Sequence, residues 1–382
     1  MELQDRNFRR DIRIANSVFF FVSGFGYSSW AARIPSLQKQ LNLNEAELGG
    51  VLFALPVGLM VTMPITGYLL SKYSSNRIML LGSIFFNLVI CFPGFTHSLW
   101  QLAVVMFFLG SSRNIMNIAT NAQSVGVQKH YNHSIITTFH GIWSLAGFAG
   151  AGIGYLMVKF HIGAEYHLPA VGILLSLLCF WFYPKSLYQE PVAEKKKIFS
   201  LPDAAVIKYA LICFACMACE NMMSDWGIIY FEKVTGSPNS TAIVSFVVYM
   251  VSMTLGRFLG DKLVSRVGVL PILKFSGLFM FFGLLSAVIF PFKGVIFLSF
   301  ALIGLGVSCV VPLVFSLAGK AATNSGTAIA SISTIGYLGF LVVPPLVGFI
   351  AQATSLQWAF GILSSLGLLV FLMTIKIKRS TS

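Results

Sequence analysis

The sequence predicts an all-α polytopic membrane protein, twelve transmembrane helices in two six-helix domains, and three observations predict it. Of 382 residues, 56% are hydrophobic and only 10% charged, against roughly a quarter charged in soluble domains. The apolar residues fall in long runs, among them 18–30, 48–70, 78–95 and 360–375, and a helix needs about 20 mostly apolar residues to cross a hydrocarbon core about 30 Å thick. The alternating segments of about ten residues that mark a membrane barrel do not occur.

Turn residues and charges cut the chain into spans over 13–36, 46–71, 77–95, 99–127, 134–159, 166–184, 204–231, 241–266, 269–290, 294–319, 326–352 and 356–376. Arg6, Arg9, Arg10 and Arg13 precede the first span and no small-residue cleavage site follows it, so it reads as a retained helix and not a removed signal. Pro56, Pro64, Pro312, Pro344 and Pro345 lie inside spans and mark kinks that neighbouring helices must support. In the fifth span, Gly147, Gly150, Gly152 and Gly154 imitate a dinucleotide loop, but no strand precedes them. Gly147/Ala151 and Gly150/Gly154 read instead as small-residue faces for helix packing. All six cysteines (Cys91, Cys179, Cys213, Cys216, Cys219 and Cys309) fall within apolar spans, which argues against a disulfide framework. The C-x-x-C-x-x-C run at 213–219 has the spacing of a metal cluster, yet in a buried helix its cysteines read as small packing residues. No metal or other cofactor is expected. The spans divide six and six around 185–203, a polar segment containing Glu194-Lys195-Lys196-Lys197. Residues 1–184 and 204–382 are therefore the expected domains, with a cytoplasmic linker between them.

The net charge of +13 is scattered over short connections and forms no nucleic-acid surface; its partner is lipid headgroups. Lys and Arg concentrate in cytoplasmic connections near span ends. Placing the N-terminus in the cytoplasm puts nineteen of the 26 basic residues on that side, from Arg6 to Arg379. Five lie opposite (Arg33, Lys39, Lys159, Lys233 and Lys293), and Arg113 and Arg257 lie within spans. Both termini are therefore expected in the cytoplasm, with the chain in a bacterial inner membrane.

Polar residues inside spans are the candidates for function, because ionisable groups in hydrocarbon cost several kcal/mol or more unless they pair or meet water. In span seven, at about 100° per residue, Ser224 lies about 40°, Asn221 about 100° and Asp225 about 140° from Glu220, one continuous stripe. Counted from Lys208, Glu220 lies roughly 18 Å in, near the midplane. Span four gives a comparable stripe of Arg113, Asn117, Thr120, Asn121 and Ser124, and span one a weaker one of Asn16, Ser23, Tyr27 and Trp30. His140 shares a face of span five with Thr137 and Ser144, where it either lines a cleft or packs. Arg257 and Asp261 are spaced i, i+4 near the cytoplasmic end of span eight and read first as a structural pair, with a latch as the alternative. Arg33 and these two form the gating set; Tyr249, in the same span, joins the solute-binding set.

T-G-Y-L-L-S-K-Y-S after span two matches G-D-K-L-V-S-R-V-G after span eight, setting Ser71-Lys72 against Ser265-Arg266. A repeat in this register predicts two domains related by an axis along the membrane normal, with solute bound near the midplane. W-A-A-R-I-P at 30–35, N-A-Q-S-V-G-V at 121–127, the glycine-rich run at 139–154 and E-N-M-M-S-D-W-G-I-I-Y at 220–230 resemble the major facilitator superfamily, in particular its fucose-permease-like and YbjJ-type bacterial permeases. The superfamily's loop motif survives only as Gly67, Lys72 and Arg77, with Ser71 and Ser74 at its acidic and glycine positions. The resemblance implies that spans one, four, seven and ten line a central cavity, although span ten is almost wholly apolar.

The expectation is a monomeric secondary transporter that moves a small polar, sugar-like or carboxylated solute by alternating access. Arg113 suits a carboxylate or phosphate, and the asparagines, hydroxyls and aromatics suit hydrogen bonding and stacking. A midplane carboxylate near a cation can exchange a proton as the cleft rearranges. Since this chain lacks the acidic residues that the resembling branch carries in spans one and four, Glu220 or Asp225 would have to couple protons; sodium coupling and passive transport stay open. The closest rival is an exporter of amphipathic compounds, whose cavity the 35 phenylalanines could wall. A membrane enzyme using Glu220, Asp225 and His140 lacks any nucleophile or metal set, and a non-transporting sensor would bind a ligand without flux.

Overall fold

The computed structural model describes residues 2–131, 135–191, 207–321 and 325–377; within these, the side chains of 2–5, 137, 261, 319–321 and 325–330 are not described. Most of the predicted linker, and the lysines at 195–197, therefore lie outside the described residues. Among the described residues the chain is fourteen α-helices and two short 3-10 turns, with no strand. The helices are α1 (Glu2–Ala31), α2 (Ile34–Gln40), α3 (Glu45–Lys72), α4 (Ser75–Val89), α5 (Leu99–Gln128), α6 (Ile136–Lys159), α7 (Ala164–Phe182), α8 (Ile207–Thr235), α9 (Asn239–Val267), α10 (Val269–Ile289), α11 (Lys293–Val307), α12 (Val310–Ala321), α13 (Ser325–Ala353) and α14 (Leu356–Ile375).

Ten segments among the described residues are long and apolar enough to cross a membrane, with α11 and α12 counted as one. Helices α1 and α8, of 30 and 29 residues, match them in length and, like α5, carry a polar stripe. Together they account for the twelve predicted spans. The short α2 is an addition, opened by Pro35 in its first turn, where a missing N–H is harmless.

The chain divides into two compact units, Met1–Leu43 with Ala54–Lys196, and Asn44–Phe53 with Lys197–Ser382. Within the first, α1 packs along α6. A Cβ on Gly24 would run into the Trp143 carbonyl, one on Gly150 into that of Phe25, and one on Gly154 into Ala32. The face predicted for Gly150 and Gly154 is thus the one that meets α1. In lipid, where tails are as apolar as leucine, such close backbone approach is a main source of helix association.

In the second unit α8 packs on α13 and α10 on α14. A Cβ on Gly277 would stand 2.6 Å from the Phe371 backbone nitrogen, and one on Gly339 2.8 Å from the Phe214 carbonyl. Residues Asn44–Phe53 belong to this unit through an ion pair of Glu45 with Lys233 and a tight crossing of Gly49 with Gly348, where an added Cβ on Gly348 would lie 2.6 Å from the Glu45 carbonyl.

Span ten departs from its expected continuous 294–319. The helix stops at Val307 and resumes at Val310, with Ser308 and Cys309 as a turn. Pro312 supplies the reason: it has no N–H for the carbonyl four residues back, at Ser308, and its ring crowds that carbonyl.

Candidate functional site

The polar residues of the first unit gather where α1 and α5 meet. Arg113 of α5 is buried, and its guanidinium carbon lies 3.8 Å from the centroid of the Tyr27 ring on α1. That is a cation–π contact in a desolvated setting, a geometry associated with about 2 kcal/mol. Arg113 Nε has no hydrogen-bond partner, and among the described residues no carboxylate pairs with it. One turn on, the Ser23 hydroxyl donates to Asn117 Oδ1 at 2.8 Å and accepts from Trp143 Nε1 at 3.3 Å. Asn121 is exposed and donates to the Asn117 carbonyl at 2.8 Å. Asn16 is buried with both amide heteroatoms unpartnered. His140 is exposed and stands edge-on to Phe20, centroids 5.2 Å apart; the side chain of Thr137, expected on the same face, lies outside the described residues.

Arg33 takes a different position. It is buried after the end of α1, donating from Nε to His167 Nδ1 at 3.0 Å and from Nη2 to the Ile162 carbonyl at 2.7 Å. Burial pushes its guanidinium down to about 10, against the raising influence of Glu165. These bonds tie the α1–α2 connection to the α6–α7 connection and the first turn of α7.

The second unit holds the charge pair. Glu220 of α8 faces Arg257 of α9, Oε1 to Nη2 3.6 Å, with 18% and 21% of the two side chains accessible. Arg257 Nε also donates to the Ser308 carbonyl at 3.4 Å, the same carbonyl that Pro312 leaves without a helical donor. One guanidinium thus joins a carboxylate on α8 to the break in span ten. Alongside, Ser224 donates to the Glu220 carbonyl at 3.0 Å and Asn221 to the Phe340 carbonyl of α13 at 3.5 Å. Asp225 is buried. Tyr249, two turns before Arg257 on α9, is fully buried with an unpartnered hydroxyl.

The structure therefore brings together Glu220, Arg257 and the Ser308 turn, and separately Tyr27, Arg113, Asn117 and Ser23. Arg257 reaches across to α8; the side chain of Asp261, its expected helical neighbour, lies outside the described residues. Glu220 has its ion pair inside its own unit. Sequence reasoning missed Gly256 and Gly260, which flank Arg257. A Cβ on Gly256 would stand 2.7 Å from Ser308 Cβ, and one on Gly260 would meet Cys309 Sγ. The spacing of these glycines, four apart around an intramembrane arginine, was the available signal.

Comparison with known proteins bears on this arrangement. The sequence profile of the Major Facilitator Superfamily matches residues 17–342. The chain belongs to the Major Facilitator Superfamily. An uncharacterized MFS-type transporter of Yersinia pestis is 30% identical over 359 residues, 94% of each chain. A cis,cis-muconate transport protein of Acinetobacter baylyi is 21% identical over 363 residues, 87% of this chain and 85% of that one. Among solved structures, a mutant form of the nucleoside transporter NupG shares the fold with a TM-score of 0.77 at 14% identity, covering 96% of this chain and all of NupG. As a superfamily member the chain is a multi-pass membrane transporter of small molecules.

Proposed function

We propose that the chain takes up a small polar solute bearing a carboxylate or similar anionic group, by alternating access driven by protons through Glu220. The observation that carries the reading is the Glu220–Arg257 pair and its link to Ser308. Loss of the negative charge on protonation removes the attraction that holds the guanidinium toward α8, while the Ser308 carbonyl continues to accept from it. Proton binding on α8 would thereby act on the hinge of span ten, a two-state element of the kind a coupled carrier needs. Arg113, seated on Tyr27 with Nε unpartnered and no carboxylate paired with it among the described residues, would receive the solute's anionic group, with Asn117 and Asn121 as hydrogen-bonding neighbours. The naming of one relative as a cis,cis-muconate transport protein supports the carboxylated branch of the reading. We place both termini in the cytoplasm on the distribution of Lys and Arg, and the protein, whose Yersinia and Acinetobacter relatives are bacterial, in the bacterial inner membrane as a monomer.

A thermal-shift screen of purified protein against sugar acids, aromatic and aliphatic carboxylates, nucleosides and neutral sugars identifies the solute, since a ligand of the folded state raises its apparent stability. In proteoliposomes, Glu220→Gln is then expected to keep solute exchange at equilibrium and lose accumulation driven by a pH gradient. Accumulation equal to wild type would remove Glu220 from the mechanism; solute moving opposite to the proton flux would turn the reading to export.

A further inference from the structure

Helix α1 extends over 30 residues, about 45 Å at 1.5 Å per residue, and the hydrocarbon core is about 30 Å thick. With its C-terminal end at one boundary, roughly its first ten residues stand at headgroup level at the other. Arg6, Arg9 and Arg10 lie there, exposed. With Arg13 they recur at i, i+3, i+4 and i+7, which sets all four on one helix face, and Val18 and Phe21 continue that face into the membrane.

A cavity of about 870 Å³ opens along this face. Its lining is arginine at one end and apolar at the other, where Val18, Phe21 and Ile142 of α6 meet, and among the described residues it contains no carboxylate. The extension is held in place by Tyr131, whose hydroxyl donates to the Arg9 carbonyl at 2.8 Å and whose ring centroid lies 5.7 Å from the Arg13 guanidinium carbon. Phe8 packs edge-on against His130 at 5.5 Å. The nearest described carboxylate on α1, Asp11, pairs with Lys185 at 3.6 Å and touches Arg10 at 4.0 Å.

We propose that this cavity binds an anionic phospholipid, with the phosphate among the arginines and an acyl chain along Val18, Phe21 and Ile142. Basic pockets between helices at headgroup level suit such lipids. The two-part lining decides for a lipid over a free anion, because inorganic phosphate would leave the apolar end unused. The proposal is independent of which solute is carried.

The test titrates the purified full chain in neutral detergent, at fixed ionic strength, with dioleoyl phosphatidylglycerol, dioleoyl phosphatidylcholine or inorganic phosphate, and reads the unfolding temperature. Phosphatidylglycerol is expected to raise it and the other two to leave it unchanged. Arg6→Gln/Arg9→Gln/Arg13→Gln weakens the phosphatidylglycerol response, by roughly five-fold in concentration per arginine removed. Arg6→Gln alone, at an exposed position, moves it the same way and serves where the triple variant does not fold. Lys262→Gln/Arg266→Gln/Lys274→Gln removes equal charge outside the cavity and leaves the response intact. Equal stabilisation by phosphate or by phosphatidylcholine, or an equal loss in that control variant, overturns the site.

Discussion

At the scale of single residues, Glu220 and Arg257 are bound by an asymmetry. Breaking a buried ion pair strands a charge, whereas removing both members relieves the desolvation of each. With about a fifth of each side chain accessible, Arg257→Gln is expected to destabilise by about 2 kcal/mol, below the 3–5 kcal/mol of a fully buried pair. Glu220→Gln/Arg257→Gln should recover most of that loss, and thermal unfolding in detergent compares the two. If the double variant is no more stable than the single, the pair does not hold the two helices. The polar stripe on α8 was legible from spacing alone, because hydrocarbon tolerates so few polar residues that each one stands out. The partner of Glu220 was not. It lies 37 positions along the sequence, and an acid four residues from Arg257 offered a nearer, local explanation.

At the scale of elements, the break in span ten shows why a reading of side chains found that span featureless. Its polarity lies in a backbone carbonyl, at Ser308, freed by Pro312 and taken up by Arg257. Sequence displayed the proline as a kink, but not which side chain would answer it. Pro312→Ala returns an N–H to the helix and lets α11 run into α12. An interior proline is disfavoured by about 3 kcal/mol relative to alanine, so the variant is expected to unfold at higher temperature while transporting more slowly. A faster rate would deny the break its role as a hinge. Gly256→Val has the opposite effect on folding. Its side chain would meet Ser308 across a gap that holds only hydrogen atoms, and a loss of about 1–3 kcal/mol, typical of overpacking, is expected in the same unfolding assay. The Gly150/Gly154 packing face of α6 was legible because glycine at four-residue spacing in an apolar helix has few other uses. Those of α9 were hidden by the charges around them.

At the scale of the whole molecule, the apolar runs were plain in the sequence, since bilayer thickness dictates span length and leaves little freedom. The distribution of basic residues adds an orientation, which reporter fusions can check. Alkaline phosphatase joined after Lys233 is expected to be active, being outside the cytoplasm, and silent when joined after Lys274; the reverse pattern would invert the topology. What the sequence could not convey was that α1 and α8, the two long helices absent from the ten most apolar segments, would be the ones packed most intimately against later parts of their units.

The packing of α1 and α8 against later helices constrains biogenesis. Helix α1 leaves the ribosome before α6, yet Trp143 and Gly150 of α6, against which its glycine and carbonyl surfaces fit, are synthesised more than a hundred residues afterwards. Helix α8 similarly waits for Gly336 and Gly339 of α13. In each half, the opening helix is the one least suited to dissolve in lipid by itself, and an insertase must shelter it until its mate emerges.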